Sequence, residues 1–250
     1  MITLMMPTYK RNHLLKDKEH PAFNLSTNKL ISQIIVIWHN IGEKVPHEVI
    51  ENIKNLNIAD KVDFVYPTTN SLNNRFYPYE IIKNDCIYST DDDYITTHLA
   101  IEKCYGIWKE NTNLMVGVVP RMVTPTQYHG NAARPTHNNV PYNTVLTGGA
   151  MFHKKFLSLY WEEKDNLKLM DKIFNGEDIM FNFVHNHHNP TPPMYVFDVN
   201  VHAWKKYDEF NAHNSIAARG NHKQKRLKIC KLMKEKYGDI LITTTKKHIL

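Results

Sequence analysis

Cys86-Ile87-Tyr88-Ser89-Thr90-Asp91-Asp92-Asp93-Tyr94-Ile95 is the stretch on which the reading of this chain turns. A short apolar run, Cys86 to Tyr88, leads into three consecutive carboxylates. The pattern predicts a buried strand that ends on an acidic triplet. Three adjacent like charges repel one another and serve no ordinary structural purpose. They make sense around a divalent cation. All-oxygen ligands suit hard ions such as Mg²⁺ or Mn²⁺, which commonly bring a phosphorylated substrate. Ligands of α/β sheets bind outside the carboxyl ends of the strands, where this triplet falls. A solvated acidic turn and a phosphatase-like Asp-x-Asp nucleophile compete with this reading, and the triplet alone does not decide.

Working outward, Ile2-Thr3-Leu4-Met5-Met6, closed by Pro7, predicts a first buried strand. Ile34-Ile35-Val36-Ile37-Trp38 predicts a second, apolar on both faces as in a parallel sheet. Further strands are expected over 62–66, 114–119 and 194–199. Helices are expected over 46–55, 97–109 and 221–237, with shorter ones near 155–160 and 179–185. The stretch 11–28 reads as partly helical, interrupted by Pro21. Residues 121–144 hold three prolines and little periodicity, which reads as a long functional loop or irregular hairpin. Gly148-Gly149 inside a strand pattern points to a close approach by backbone or ligand. Strands alternating with helices predict an α/β fold with a mostly parallel central sheet flanked by helices. No repeat or Gly/Ser linker divides the chain. One domain is expected over 1–250, with 1–120 the nucleotide side and 121–250 the acceptor and catalytic side.

Four successive strand ends carry polar groups toward one edge of such a sheet. Tyr9, Lys10 and Arg11 follow the first, Asn40 the second, Asn70 and Arg75 the third, and the aspartates the fourth. Arginine offers a planar fork of donors for uracil carbonyls or phosphates. Within the triplet, Asp93 is the candidate metal ligand, with Asp91 and Asp92 facing sugar hydroxyls or waters. Glu177-Asp178 opens a helix after Gly176, either as plain capping acids or as carboxylates facing a reacting carbon. His222 and Arg226 share one face of the last helix among many lysines. That helix reads as a solvated basic face, a weak nucleic-acid patch, or the carrier of an arginine that neutralises a leaving diphosphate. His185, His187 and His188 read as an exposed polar turn, and His202 as a weak late ligand for the metal.

The bulk numbers set bounds. The 250 residues carry a formal charge of +6, with 42% hydrophobic and 22% charged residues, ordinary for a soluble globular protein. The positive balance permits an anionic ligand without naming one. Three cysteines form neither a disulfide framework nor a zinc motif, so cytoplasmic or otherwise reducing surroundings are expected. No leader pattern opens the chain, and no run reaches the roughly 18 apolar residues of a membrane span.

Eight blocks, taken in order, resemble the exostosin and exostosin-like glycosyltransferase domain, glycosyltransferase family 64. They are Pro7-Thr-Tyr-Lys-Arg11, Ile37-Trp-His-Asn-Ile-Gly-Glu-Lys44, Asn70-Ser-Leu-Asn-Asn-Arg75, Asp91-Asp92-Asp93, Val116-Gly-Val-Val-Pro-Arg121, Leu146-Thr-Gly-Gly-Ala150, Glu177-Asp-Ile-Met-Phe-Asn-Phe183 and His222-x-x-x-Arg226. Any one block is weak; the ordered series is specific and spans nearly the whole chain. The resemblance implies a GT-A fold, Mn²⁺, a UDP-sugar donor carrying GlcNAc or GalNAc, and transfer with retention to a glycan acceptor, giving an α linkage. It implies that Arg11, Asn40, Asn70 and Arg75 hold the uridine and phosphates. It places Asp91, Asp92 and Asp93 at ribose, sugar and metal, Asp178 under the anomeric carbon, and Arg226 at the diphosphate. Family relatives are membrane-anchored in the secretory pathway. Lys10 departs from the family's Asn, and Glu177 from its first Asp. Where related animal enzymes join the residue before the acid pair to the last helix by a disulfide, this chain has Gly176 and Ile229. The alternatives are a metal-dependent phosphohydrolase and a non-catalytic carbohydrate- or nucleic-acid-binding protein.

Overall fold

In chain order, the computed structural model has strand β1 (Ile2–Thr8), helices α1 (Asn12–Leu15) and α2 (Pro21–Asn24), β2 (Ile31–Trp38), α3 (His47–Asn55), β3 (Val62–Val65), β4 (Cys86–Thr90), β5 (Tyr94–Ile95) and α4 (His98–Glu110). Next come the short strands β6 (Val116–Gly117), β7 (Pro120–Val123), β8 (Tyr128–His129) and β9 (Thr144–Val145), then β10 (Gly149–His153). Helices α5 (Lys155–Glu162), α6 (Lys164–Ile173) and α7 (Glu177–His188) follow, then β11 (Met194–Phe197), β12 (His202–Ala203), α8 (His222–Tyr237) and β13 (Lys247–Ile249). The residues described are 1–129, 140–197, 202–203, 216 and 220–249. Part of the expected 121–144 loop and the last two residues of the expected 194–199 strand lie outside them.

Eight strands form one sheet in the order β13-β11-β6-β10-β4-β1-β2-β3. Pairing is parallel throughout except at β10, which runs antiparallel to both β4 and β6. This is the α/β, GT-A-like arrangement the sequence predicted, with one reversed strand and one extra edge strand, β13. The chain leaves β1 toward β2 and β3, then returns to place β4 on the other side of β1. A topological switch point therefore lies between the carboxyl ends of β1 and β4, and such crevices bind ligands. Pro7 does not end β1. It sits beyond Met5, the last residue paired with β4, where one side of the strand has no partner to lose.

The period-two alternation of β1 sorts its side chains into two cores. Leu4 and Met6 join Val36, Trp38, Val49, Ile53, Ile101 and Trp108 on the face covered by α3 and α4. Met5 joins Ile35, Ile37, Phe152, Phe156, Phe181 and Ile229 on the face covered by α5, α7 and α8. Phe76 stacks on Phe181 at 4.3 Å between ring centres in this second layer. Each fully buried Ile or Phe contributes roughly 1.5–3 kcal/mol, so the sheet is a stiff platform for its loops. Thr97 caps α4 by accepting the Ala100 amide at 3.1 Å. Pro46 is the cap residue of α3 and Pro21 opens α2, positions where a missing N–H costs nothing.

Helix α6 had no forecast in the sequence. Residues 114–119 and 145–152 each prove to be broken strands, the first after Gly117, with β7 beginning at Pro120, and the second around Gly148. A Cβ on Gly148 would stand 2.4 Å from Asp91 Oδ2, so the break lets backbone reach the acidic triplet. The three cysteines are free and buried, Cys86 and Cys104 in the first core and Cys230 in the second. Among the described residues, no helix is long and apolar enough to cross a membrane.

Candidate active site

A cavity of about 460 Å³ opens at the switch point. Tyr9, Arg11, Arg75, Asp91, Asp92, Asp93, Asp178 and Arg226, all named from sequence, line it. Asn40 and Asn70 do not. Asn40 is buried and works on the backbone: its Oδ1 accepts the Lys10 N–H at 2.7 Å, and its Nδ2 donates to Asn12 Oδ1 at 3.0 Å. Asn70 precedes Ser71, the cap of the 3₁₀ turn 72–76 that delivers Arg75.

The triplet forms one wall. Arg11 Nη1 donates to Asp92 Oδ1 at 2.5 Å and to Asp93 Oδ2 at 2.7 Å, bridging the switch crevice. Arg75 pairs with Asp91. Asp92 is almost fully buried; its carbonyl takes a hydrogen bond from His20 Nε2 at 3.0 Å, while its Oδ2 is buried with no hydrogen-bond partner among the described residues. Burial, then the neighbouring Asp92 and Asp91 charges, push the Asp93 carboxyl up to about 7 against the pull of Arg11. Burial likewise raises Asp92, offset by Arg11. Among the described residues no three Asp, Glu, His or Cys side chains already stand as a metal cage. The donor set nonetheless fits a hard divalent cation: it is all oxygen, and one buried oxygen lacks a partner among the described residues.

The opposite wall is a buried ion pair. Arg226 Nη2 donates to Asp178 Oδ2 at 2.6 Å, with side-chain exposures of 7% and 10%. Asp178 Oδ1 accepts the Ile179 N–H at 2.8 Å, using a free amide of the first turn of α7. Burial alone would raise the Asp178 carboxyl, but the Arg226 charge and its hydrogen bond hold it below the usual carboxylate range. Arg226 Nη1 reaches Asn175 Oδ1 at 3.3 Å, and the guanidinium lies 4.3 Å from the centre of the Tyr128 ring. Among the described residues its Nε is buried without a partner. Glu177 also lines the cavity, and burial together with the Asp178 charge pushes its carboxyl up to about 7.

Gly176 makes this wall possible. It has φ +81°, and an added Cβ would stand 2.3 Å from Ile229 Cδ1, so α8 packs directly over the start of α7. The contact joins the two positions that the family resemblance pairs.

Tyr128, Arg121 and Asn175 line the cavity without having been singled out as site residues. Tyr128 lay in a segment without periodicity, so only the fold brings its ring under Arg226. His185 corrects an expectation. It is not in an exposed turn but buried in α7, where Nε2 donates to the Asn113 carbonyl at 2.9 Å; His187 and His188 are exposed, but on the last turn of α7 rather than in a loop. The His202 backbone pairs with Ile95, just past the triplet, while its side chain lies outside the described set.

A family model described as the glycosyl transferase family 64 domain matches residues 2–249. The chain is 28% identical over 194 residues to the exostosin-like-3 homolog of Caenorhabditis elegans, covering 77% of this chain and 22% of that protein. It is 33% identical over 160 residues to glucosamine inositolphosphorylceramide transferase 1 of Oryza sativa, covering 62% and 20%. It is 28% identical over 230 residues to exostosin-like 2 of Mus musculus, covering 88% and 67%. The chain thus spans about a fifth of the length of the first two relatives and two thirds of the third.

Proposed function

The chain belongs to glycosyltransferase family 64, and from that premise we propose that it moves an N-acetylhexosamine, GlcNAc or GalNAc, from a UDP-sugar to a saccharide acceptor with retention, leaving an α linkage. One observation carries the reading: an acidic wall at the switch point and a buried Asp178–Arg226 pair face one cavity. Tyr9, Arg11, Arg75, Asp91 and Asp92 hold the nucleotide and sugar. Asn40 and Asn70 serve indirectly, by shaping the turns that carry Arg11 and Arg75. The half 1–120 supplies the donor side and 121–250 the reacting side.

Asp93 would hold Mn²⁺, which when bound supplies Lewis acidity at the leaving diphosphate. Arg226 adds fixed positive charge at the same place. Its Nε, without a partner among the described residues, has a donor to spare for a phosphate oxygen, in a buried setting where preorganised charge counts most. Asp178 stays ionised beside Arg226 and steadies positive character on the anomeric carbon. Both of its oxygens already accept hydrogen bonds. That blunts it as a nucleophile and supports displacement from the face the nucleotide leaves over a covalent sugar–enzyme intermediate.

The test is a panel of UDP-sugars offered with and without Mn²⁺. Activity confined to N-acetylhexosamine donors, abolished by EDTA and giving an α-configured product by NMR, supports the reading. Phosphate release from UDP or simple phosphoesters without an acceptor would make the chain a phosphohydrolase. Salt-sensitive nucleic-acid binding without UDP affinity would make it a binding protein.

A further inference from the structure

We infer that Arg11 is the resident counter-cation of the acidic triplet, aimed by a turn that Asn40 clamps, and that a divalent ion binds by displacing it. The inference rests on the metal site proposed above. Arg11 meets two carboxylates through a single nitrogen, Nη1, rather than gripping one of them in the two-pronged way guanidinium groups favour. One of its two acceptors, Asp93 Oδ2, belongs to the residue assigned to the metal. Arginine cannot lose its proton to make way, so it has to move. A divalent ion drawn to Asp93 competes with Arg11 for the same carboxylate and brings twice the charge.

The turn explains how Arg11 comes to be there. Lys10 has φ +54°, a left-handed conformation that lysine adopts at a cost. The Asn40 side chain holds it by accepting the Lys10 N–H and bracing against Asn12. Arg11 then sits at the N-terminal cap position of α1, where a side chain of donors alone cannot cap the helix amides, and its guanidinium turns to the triplet. Strain held by a buried clamp beside a cavity is the pattern of a positioning device. Asn40 is thus a positioning residue that acts through Arg11. Once displaced, the Arg11 charge stays in a cavity whose other arginines, among the described residues, are Arg75, Arg121 and Arg226. Metal entry and the arrival of an anionic nucleotide are coupled in that way: the ion frees the cation that the diphosphate can use.

The experiment is a calorimetric titration of the whole, nucleotide-free chain with MnCl₂, for the wild type, Arg11→Met, Arg11→Lys and Asn40→Ala. Melting temperatures are measured with and without saturating Mn²⁺. Arg11→Met is expected to bind Mn²⁺ about tenfold more tightly, the size of effect that losing one competing ion pair would give. Arg11→Lys should fall between it and the wild type, and it serves if the methionine variant does not fold. Asn40→Ala should also tighten Mn²⁺ binding, by less, whereas a purely structural role would lower its melting temperature and leave affinity unchanged. The metal-free melting temperature of Arg11→Met should drop and recover in Mn²⁺. Equal or weaker binding by the Arg11 variants, with the wild type still binding, overturns the displacement and leaves the metal site standing. No binding by any of them removes the metal site, and the displacement with it.

Discussion

Two arginine–aspartate pairings face each other across the cavity, built from the same chemistry to opposite ends. The Asp178–Arg226 pair is buried, and both Asp178 oxygens are engaged. The Arg11 bridge leaves Asp93 27% exposed at the side chain and strands one buried Asp92 oxygen. A buried pair whose carboxylate is engaged at both oxygens is a fixed part of the protein, because losing one partner leaves a charge in a poor solvent. A bridge whose Asp93 end is partly open to the cavity can exchange its cation. One wall thus supplies permanent electrostatics and the other an adjustable binding surface.

The comparison breaks most forcefully at Arg226. Arg226→Met should cost about 3–5 kcal/mol of stability and at least about 10³-fold in transfer, read by denaturant melts and a UDP-release assay. Asp93→Asn should cut transfer about 100-fold with the fold intact and Mn²⁺ binding lost, since its wall is built for exchange. If the two variants lose stability equally, the distinction is wrong.

Mild acid sharpens the contrast on the α7 side. Burial lowers His185 from 6.5 to about 4, so the folded chain keeps it neutral. Above pH 6.5 both folded and unfolded chains hold it neutral and its contribution is complete. Between 6.5 and 4 the unfolded chain takes up the proton first, and stability falls by about 1.4 kcal/mol per pH unit. At pH 5 this is about 2 kcal/mol, and His185→Gln should flatten that part of the stability–pH curve. Gly176→Ala should cost about 1–2 kcal/mol through the Ile229 clash and the positive φ, and Ile229→Val in the same chain should restore only the clash share. Lys10→Asn is the mildest change. It should raise the melting temperature slightly, by about 0.5 kcal/mol of stability, because asparagine tolerates the left-handed turn.

Much of the donor edge was legible because it rests on local pattern. Apolar runs mark strands, and a polar group after each run marks its end; parallel pairing then puts those ends together. Asp178 and Arg226, far apart in sequence, became paired candidates only through resemblance, since nothing in spacing places α8 over α7. Asn40 was read as a nucleotide ligand because its position at a strand end is visible and its hydrogen bond to Lys10 is not. His185 looked like part of an exposed cluster because its neighbours are exposed, and a single helical step of about 100° separates the two environments. The reversal of β10 left no trace, because alternation of side chains is the same in either direction.

The three buried cysteines give this architecture its own reporters. Burial raises all three thiols, to about 12 for Cys104 and Cys230. A thiol-specific reagent therefore meets a reactive thiolate only when the protein opens. Cys230 lies one helical turn beyond Arg226, while Cys86 and Cys104 lie beneath the other face of the sheet. The labelling rate of the first against the other two measures how often the reacting wall lifts away while the donor platform stays shut.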